Sequence, residues 1–181
     1  MVKKLPKIIN QEEFEILLKS VDKTKRINAK RKKEYKVAML LGFEAGMRIS
    51  EIVGLRVDGE WKIKPLMPEM IGESSIKVLG KGGKERVVPR PRRLNDVALK
   101  MFPLKIKRRA LQFFITKIGF DALHKPVSFH TLRHGFGSHL AGNGVPLHQV
   151  QMMMGHSRLD TTGIYLHANP KEAISNAQEL F

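Results

Sequence analysis

The decisive stretch of this 181-residue chain is Ser128-Phe129-His130-Thr131-Leu132-Arg133-His134-Gly135-Phe136. Ser128 is a typical N-cap, and it predicts a helix over residues 129–141. His130 and Arg133 lie three residues apart and therefore on one face of that helix. Both lie close to its N-terminus, where free backbone N–H groups favour an anion. The stretch predicts a helix end that binds a negatively charged group.

A metal site is the alternative interpretation of these histidines, since His130 and His134 have the spacing of two ligands on one helical turn. The glutamate of a His-Glu-x-x-His motif is absent, and Arg133 would place a positive charge beside the metal. The chain has no cysteine, which excludes disulfides, a cysteine nucleophile and Cys-based metal sites. It also has no Asp/Glu cluster suited to a divalent ion. We therefore expect no metal.

The rest of the chain predicts a mainly α fold with a small antiparallel β-sheet. Asn10 and Glu13 form a capping box that opens a helix. Gly80 to Lys84 is a glycine-rich turn between two β-like runs, which predicts a hairpin with a lysine at its tip. Residues 56–75 receive no assignment. The predicted helices cover 11–21, 34–45, 51–53, 94–102, 105–120, 129–141, 146–154 and 170–180, and the predicted strands cover 76–79 and 86–88. A short helical turn that carries Tyr165 is predicted to open at Thr161 or Thr162.

The charge of the chain is strongly positive and unevenly distributed. Lys and Arg number 33 against 17 Asp and Glu, a net charge of +16. Residues 77–109 alone carry 12 basic and 2 acidic side chains. Such a patch is typical of a surface for nucleic acid, and a solvated basic surface is the alternative. No apolar run approaches the about 20 residues of a membrane span, and no signal peptide is present, so we expect a soluble, cytoplasmic protein without a membrane partner.

Several polar side chains suit the chemistry of a phosphodiester. Guanidinium groups bind two non-bridging phosphate oxygens at once, and a tyrosine can form a covalent phosphoryl-enzyme. At this level Arg48 could equally pair with Glu51 or Glu44, and Tyr165, like Tyr35, could belong to the core. The candidate residues are Arg48, Lys81, His130, Arg133, His156 and Tyr165.

Four sequence blocks, in this order and spacing, resemble the catalytic domain of the tyrosine recombinases, the phage integrase family. The pattern is most similar to the Xer-like branch, and a resemblance to archaeal integrases is also present. The similarity extends from about residue 10 to the end of the chain. The blocks are Ala45-Gly46-Met47-Arg48-Ile49-Ser50-Glu51-Ile52, Gly80-Lys81-Gly82-Gly83-Lys84-Glu85-Arg86, His130-Thr131-Leu132-Arg133-His134-Gly135-Phe136, and Met154-Gly155-His156-Ser157 leading to Thr161-Thr162-Gly163-Ile164-Tyr165.

The resemblance implies a role for each catalytic candidate. Tyr165 would attack the scissile phosphate, form a 3′-phosphotyrosine and release a 5′-hydroxyl. Arg48 and Arg133 would hold the non-bridging oxygens. Lys81 would protonate the leaving 5′-oxygen as general acid. No ATP would be needed, because the covalent bond to the enzyme conserves the phosphodiester energy.

The same resemblance implies supporting residues and a DNA surface. His130 would take part in proton transfer near the tyrosine, His156 would hydrogen-bond the phosphate, and Glu51 would orient the site. The basic block would face double-stranded DNA, with contacts mostly to phosphates. The target site, and whether the reaction is integration, excision or dimer resolution, stay open. The expected DNA contacts are Lys77, Lys84, Arg86, Arg90, Arg92 and Arg93.

The chain departs from the family in its domain organisation. Residues 1–9 predict a basic arm or linker and residues 10–181 the catalytic domain, with no N-terminal core-binding domain before it. This predicts a fragment of a longer protein, with a minimal recombinase as the alternative. We expect a four-subunit synapse for the full-length protein and a monomer for this domain alone, and the last helix could pack in cis or in trans. A type IB topoisomerase-like activity and a non-catalytic DNA-binding module are the competing hypotheses.

Overall fold

Seven α-helices and two small antiparallel sheets make up most of the part of the chain that the structure describes. This computed structural model describes residues 8–80, 83, 85–155, 174 and 177–181. The mainly helical fold with a small antiparallel component confirms the prediction. The elements are α1 (Gln11–Lys23), α2 (Ala29–Phe43), α3 (Ile49–Val53), β1 (Leu55–Val57), β2 (Glu60–Ile63), a 3-10 turn (Pro68–Met70), β3 (Ser75–Leu79), β4 (Glu85–Pro89), α4 (Asp96–Leu99), α5 (Arg108–Leu123), α6 (Phe129–Gly142) and α7 (Leu147–Met154).

Helix α1 begins at the predicted capping box. The Asn10 side chain accepts a hydrogen bond from the Glu13 N–H at 2.9 Å, and the Glu13 carboxylate accepts one from the Asn10 N–H at 3.1 Å. The apolar stripe of α1 is buried, and its Phe14 ring stacks on Phe43 of α2 with centroids 4.1 Å apart. Helix α1 packs on α2, α5 and α6.

Helices α2 and α6 form the contact that holds the site in place. A Cβ at Gly135 would lie 2.6 Å from the Phe43 ring, so only glycine allows this close approach of the two helices. On the other side of α2, Tyr35 is buried and stacks on Phe114 of α5 at 4.3 Å. The prediction that Tyr35 belongs to the core is therefore confirmed.

The predicted hairpin is the β3–β4 sheet, with Ile76 opposite Val88. Its inward side chains are buried, and β4 packs on α7. A second sheet, β1–β2, lies in the region that sequence reasoning left unassigned. Its turn contains Asp58 and Gly59 with φ angles of +51° and +82°. Asp-Gly is a common turn pair for a two-residue hairpin, so the signal was present in the sequence.

Helix boundaries differ from the predictions where the residues are polar or lie before a proline. Helix α2 begins five residues earlier than predicted, because Asn28 caps it and accepts a hydrogen bond from the Arg31 N–H at 2.8 Å. Helix α4 has only four residues and ends well before Pro103. The predicted turn at 161–165 lies outside the described residues, and of the predicted last helix only residues 174 and 177–180 lie within them. No helix in the described ranges is long and apolar enough to cross a membrane.

Candidate active site

A capping box fixes the start of α6. The Ser128 hydroxyl accepts a hydrogen bond from the Thr131 N–H, and the Thr131 hydroxyl accepts one from the Ser128 N–H, both at 3.1 Å. The helix buries Arg133, which is 2% exposed, and leaves His130 at the surface. The two candidates thus share one helix but differ in their access to solvent.

Two backbone carbonyls hold the guanidinium of Arg133. Its Nη1 donates to the Gly46 carbonyl and its Nη2 to the Met154 carbonyl. Gly46 forms the turn between α2 and α3 with a φ of +60°, a conformation that glycine adopts without strain. Burial, followed by the positive charges of Arg48 and Arg86, lowers the pKa of Arg133 to about 9. Because neutral pH lies below this value, the buried side chain carries a positive charge.

Arg48 lies at the N-terminus of α3 and keeps an exposed face. Its Nη1 donates to Oε1 of Glu51 at 2.9 Å, and its main-chain N–H donates to Oε2 of the same carboxylate at 2.7 Å. Its Nη2 donates to the Gly155 carbonyl at 3.1 Å, and 40% of the side chain is exposed. Of the two partners that the sequence allowed, Glu51 and Glu44, the structure has Glu51.

The carboxylate of Glu51 is buried between two guanidinium groups. Arg86 of β4 donates to Oε1 from Nη1 at 2.8 Å and to Oε2 from Nη2 at 2.7 Å. Burial alone would raise the pKa of Glu51, but the hydrogen bonds and charge of Arg86, together with the main-chain and side-chain hydrogen bonds of Arg48, bring it below its usual value of 4.5. Glu51 is therefore ionised at neutral pH and fixes the orientation of Arg48.

His130 lies beside this positively charged cluster. Burial, the charge of Arg133 and the charge of Arg48, in decreasing order, lower the pKa of His130 below its usual value of 6.5. The ring also makes an edge-on contact with His134, with centroids 4.2 Å apart. The imidazole is consequently neutral at pH 7 and able to accept a proton. Among the described residues no three His, Asp or Glu side chains come together as metal ligands.

Comparison with known proteins identifies the relatives of this chain. The profile of the phage integrase family matches residues 101–172. The tyrosine recombinases XerD of Staphylococcus aureus (strain N315) and Staphylococcus epidermidis are each 32% identical to the chain over 94% of its length. The chain is related to the tyrosine recombinases of the phage integrase family. It spans 61% of the length of each of these XerD proteins.

Solved structures show the same fold. The integrase of mycobacterium phage Brujita superposes with a TM-score of 0.71 at 24% identity, covering 100% of this chain and 60% of the integrase. The XerH site-specific recombinase bound to its difH substrate gives a TM-score of 0.64 at 24% identity, covering 98% of this chain and 55% of XerH. The chain therefore has the fold of a tyrosine recombinase catalytic domain.

Four predicted residues of the recombinase site lie outside the described residues. Two of them, Lys81 and Lys84, lie in the sequence between β3 and β4. The other two, His156 and Tyr165, follow the end of α7, where the Gly155 carbonyl accepts the hydrogen bond from Arg48. The structure thus brings together Arg48, Glu51, Arg133 and His130. It also describes β3 and α7, the elements that precede the remaining four residues in the sequence.

The residues predicted to contact DNA do not share one environment. Lys77 forms an ion pair with Glu85 at 2.9 Å, and both side chains are more than half exposed. Arg92 is also exposed. Both are therefore accessible to a phosphate backbone.

Two other predicted DNA contacts are held by the protein itself. Arg90 is 16% exposed and donates to the Leu94 carbonyl from Nε at 3.1 Å. Arg93 pairs with the buried carboxylate of Glu44 and, at 2.8 Å, with Glu15. The Arg90 contact stays within the 90–94 segment, and the Arg93 pairs join that segment to α1 and to the end of α2.

Arg86 is the site residue whose role the sequence did not reveal. It was grouped with the phosphate contacts because it lies in the most basic segment, yet its side chain is only 8% exposed and pairs with Glu51. The available signal was a carboxylate followed by two apolar residues, Ile52 and Val53, in a short helix, since a buried carboxylate needs several donors. The sequence suggests Arg48 as a partner of Glu51 and does not indicate Arg86.

Proposed function

We propose that residues 10–181 form the catalytic domain of a site-specific DNA recombinase or integrase that cleaves and rejoins DNA through a 3′-phosphotyrosine at Tyr165. One observation carries this proposal. The guanidinium groups of Arg48 and Arg133 converge on consecutive carbonyls at the end of α7, those of Gly155 and Met154, from which the chain continues towards the tyrosine.

The chemistry is a transfer of the phosphoryl group between two oxygens. The phenol oxygen of Tyr165 attacks the scissile phosphorus, a new P–O bond to the tyrosine forms, and the bond to the 5′-oxygen breaks. Arg48 and Arg133 neutralise the non-bridging oxygens as charge builds up in the transition state. Loss of one such fixed donor typically slows a reaction about 100- to 1000-fold.

Protons move at both ends of this reaction. His130 is neutral and beside the arginines, so it takes the proton that the phenol releases. Lys81 gives a proton to the departing 5′-oxygen, and His156 donates a hydrogen bond to the phosphate. Religation reverses each step when a 5′-hydroxyl attacks the phosphotyrosine, so the reaction needs no ATP. The arginines supply the positive charge for the transition state, so the proposal assigns no role to a metal ion.

The whole protein acts on double-stranded DNA in this proposal. Its partners are the DNA and further copies of itself, in a synaptic tetramer, and its place of action is the nucleoid in the cytoplasm. The XerD relatives support a recombinase over the two alternatives, type IB topoisomerase-like relaxation and a non-catalytic DNA-binding module.

Covalent trapping tests the proposal. The chain is incubated with a duplex nicked next to the cleavage position, so that the released 5′-end diffuses away and the protein stays attached. We expect wild type to form a DNA adduct that survives denaturing electrophoresis, and Tyr165→Phe to bind the same duplex without forming one. Equal behaviour of the two proteins would leave only the DNA-binding module.

A further inference from the structure

Arg86 is buried at the junction of three elements. It lies on β4, its two Nη groups donate to Glu51 of α3, and its Nε donates to the Met153 carbonyl of α7 at 2.7 Å. Only 8% of the side chain is exposed. A guanidinium with this many internal acceptors has little capacity left for a phosphate of DNA.

The last carbonyls of α7 are acceptors for arginines of three different elements. Arg86 binds the carbonyl of Met153, and the next two carbonyls bind Arg133 and Arg48. Carbonyls at the end of a helix lack helical partners and carry partial negative charge, so cations stabilise them. Gly155 has a φ of +60°, and a Cβ there would lie 3.0 Å from the Cδ of Arg86, so the close contact favours glycine.

The charges at Glu51 explain why a second arginine is needed. A single carboxylate facing Arg48 alone would cancel its charge, and a neutral ion pair attracts a phosphate weakly. Arg86 supplies the counter-charge, so the three groups together keep one net positive charge. The exposed face belongs to Arg48, which is 40% exposed, against 8% for Arg86.

We propose that Arg86 is a positioning residue of the cleavage site, which acts through Glu51 to hold Arg48 in place and keep it able to attract the scissile phosphate. This role rests on the function proposed above. It replaces the direct phosphate contact that the basic sequence around Arg86 suggested.

The test compares Arg86→Met with Arg48→Met and with a matched control, Arg56→Met, which removes an exposed arginine of β1. Cleavage is measured in a single turnover at saturating protein, on a normal phosphate and on a methylphosphonate, whose missing negative charge reduces the need for a guanidinium. We expect Arg86→Met to cleave the phosphate about 10- to 100-fold more slowly with little change in DNA affinity. On the methylphosphonate, the loss of cleavage rate should be smaller for Arg86→Met, as it should be for Arg48→Met. Arg56→Met should cleave both substrates at the wild-type rate.

Two results would overturn the proposal. A normal rate at saturation with weaker, less salt-dependent binding would make Arg86 a direct phosphate contact. An equal loss on both substrates would make its role purely structural. If the wild-type protein cleaves neither substrate, the proposed function fails, and the role of Arg86 in cleavage fails with it. If the wild-type protein is active and the Arg86→Met variant is equally active, only the positioning role is refuted.

A second measurement needs no DNA and uses a more conservative substitution of Arg86. The carboxyl carbon of Glu51 is followed by NMR during a pH titration of wild type and Arg86→Lys, which keeps the charge but loses the two-point contact. We expect the pKa of Glu51 to rise in Arg86→Lys. An unchanged titration would show that Arg86 does not control this carboxylate.

Discussion

The carboxylate of Glu51 accepts four hydrogen bonds, two on each oxygen. Oε1 accepts from Nη1 of Arg48 and Nη1 of Arg86, and Oε2 accepts from Nη2 of Arg86 and the main-chain N–H of Arg48. Its side chain is 1% exposed. A buried charge with this many donors is stable only while all partners remain. The stability of this cluster therefore depends on the ionised carboxylate of Glu51.

We expect Glu51→Gln to lower the free energy of unfolding by about 3 kcal/mol, because Arg48 and Arg86 lose the buried carboxylate that balances their charge. Urea denaturation at neutral pH measures this. The control is Glu85→Gln, which removes the exposed pair with Lys77 and should cost less than about 1 kcal/mol. Equal costs for the two variants would contradict the buried ion-pair network.

The cost of Glu51→Gln should also depend on pH. The pKa of Glu51 in the folded protein lies below its usual value of 4.5. The ionised carboxylate therefore contributes stability that is complete above pH 4.5 and is lost as the pH falls through the folded-state pKa. The difference between wild type and variant should shrink in acid, and a constant difference would be the contrary result.

The sequence predicted the members of this cluster better than their contacts. Arg48, Glu51, His130 and Arg133 could be found because a capped helix and a short turn place them at recognisable spacings. The sequence predicts a phosphate contact for Arg86 and not its pair with Glu51, because charge density in a segment does not show which way a strand side chain points. Long-range contacts such as that between residues 86 and 51 depend on the packing of elements, which spacing does not encode.

At the scale of elements, the turn between α2 and α3 joins the fold to the site. Gly46 has a positive φ, and its carbonyl accepts the hydrogen bond from Arg133. A Cβ there would lie 2.4 Å from the Cδ1 of Phe136. The turn therefore requires glycine for both its backbone angle and its space.

We expect Gly46→Ala to destabilise the protein far more than Gly59→Ala. Both glycines have positive φ, so each variant pays about 1–2 kcal/mol for the left-handed conformation. A Cβ at Gly59 meets nothing within 4 Å, whereas at Gly46 it displaces the Phe136 ring for about 1–3 kcal/mol more. Thermal or urea unfolding of the two variants measures the difference, and similar stabilities would show that the turn can adjust.

Elements with a buried apolar stripe and a cap were predicted from the sequence, as α1 and α6 show. The first turns of α2 were missed because they are polar and exposed, so hydrophobic periodicity does not detect them. The β1–β2 sheet was missed although Asp58-Gly59 is a hairpin turn pair, because its strands are short and mostly exposed. Local sequence signals thus predicted the elements that pack in the core, whereas the exposed elements were found only in the structure.

At the scale of the whole molecule, the net charge of +16 does not mean that sixteen positive side chains are free to bind phosphate groups. Arg86 is buried against Glu51, and Arg93, although 37% exposed, pairs with the carboxylates of Glu44 and Glu15, so both use their charge within the fold. Exposed side chains such as Arg92 remain for phosphates. The proposed DNA surface is therefore smaller than the basic segment 77–109 suggests.

Neighbouring arginines offer a test of this division. We expect Arg92→Ala to reduce the slope of log affinity for DNA against log salt concentration by about 0.9, the effect of losing one phosphate contact. Arg93→Ala should leave the slope unchanged and instead lower stability by about 3 kcal/mol, because the carboxylate of Glu44 is 1% exposed and loses its partner. Fluorescence anisotropy over a salt series and urea denaturation measure the two effects, and a changed slope in Arg93→Ala would refute the assignment.

The most direct test of the whole account is the chemical identity of the bond between protein and DNA. Wild-type chain is trapped on a nicked duplex in the presence of EDTA, digested with trypsin and nuclease, and analysed by tandem mass spectrometry. The account predicts a nucleotide joined through its 3′-phosphate to Tyr165, in the tryptic peptide of residues 159–171. Cleaved DNA with the adduct on any other residue, or with no adduct at all, would contradict it.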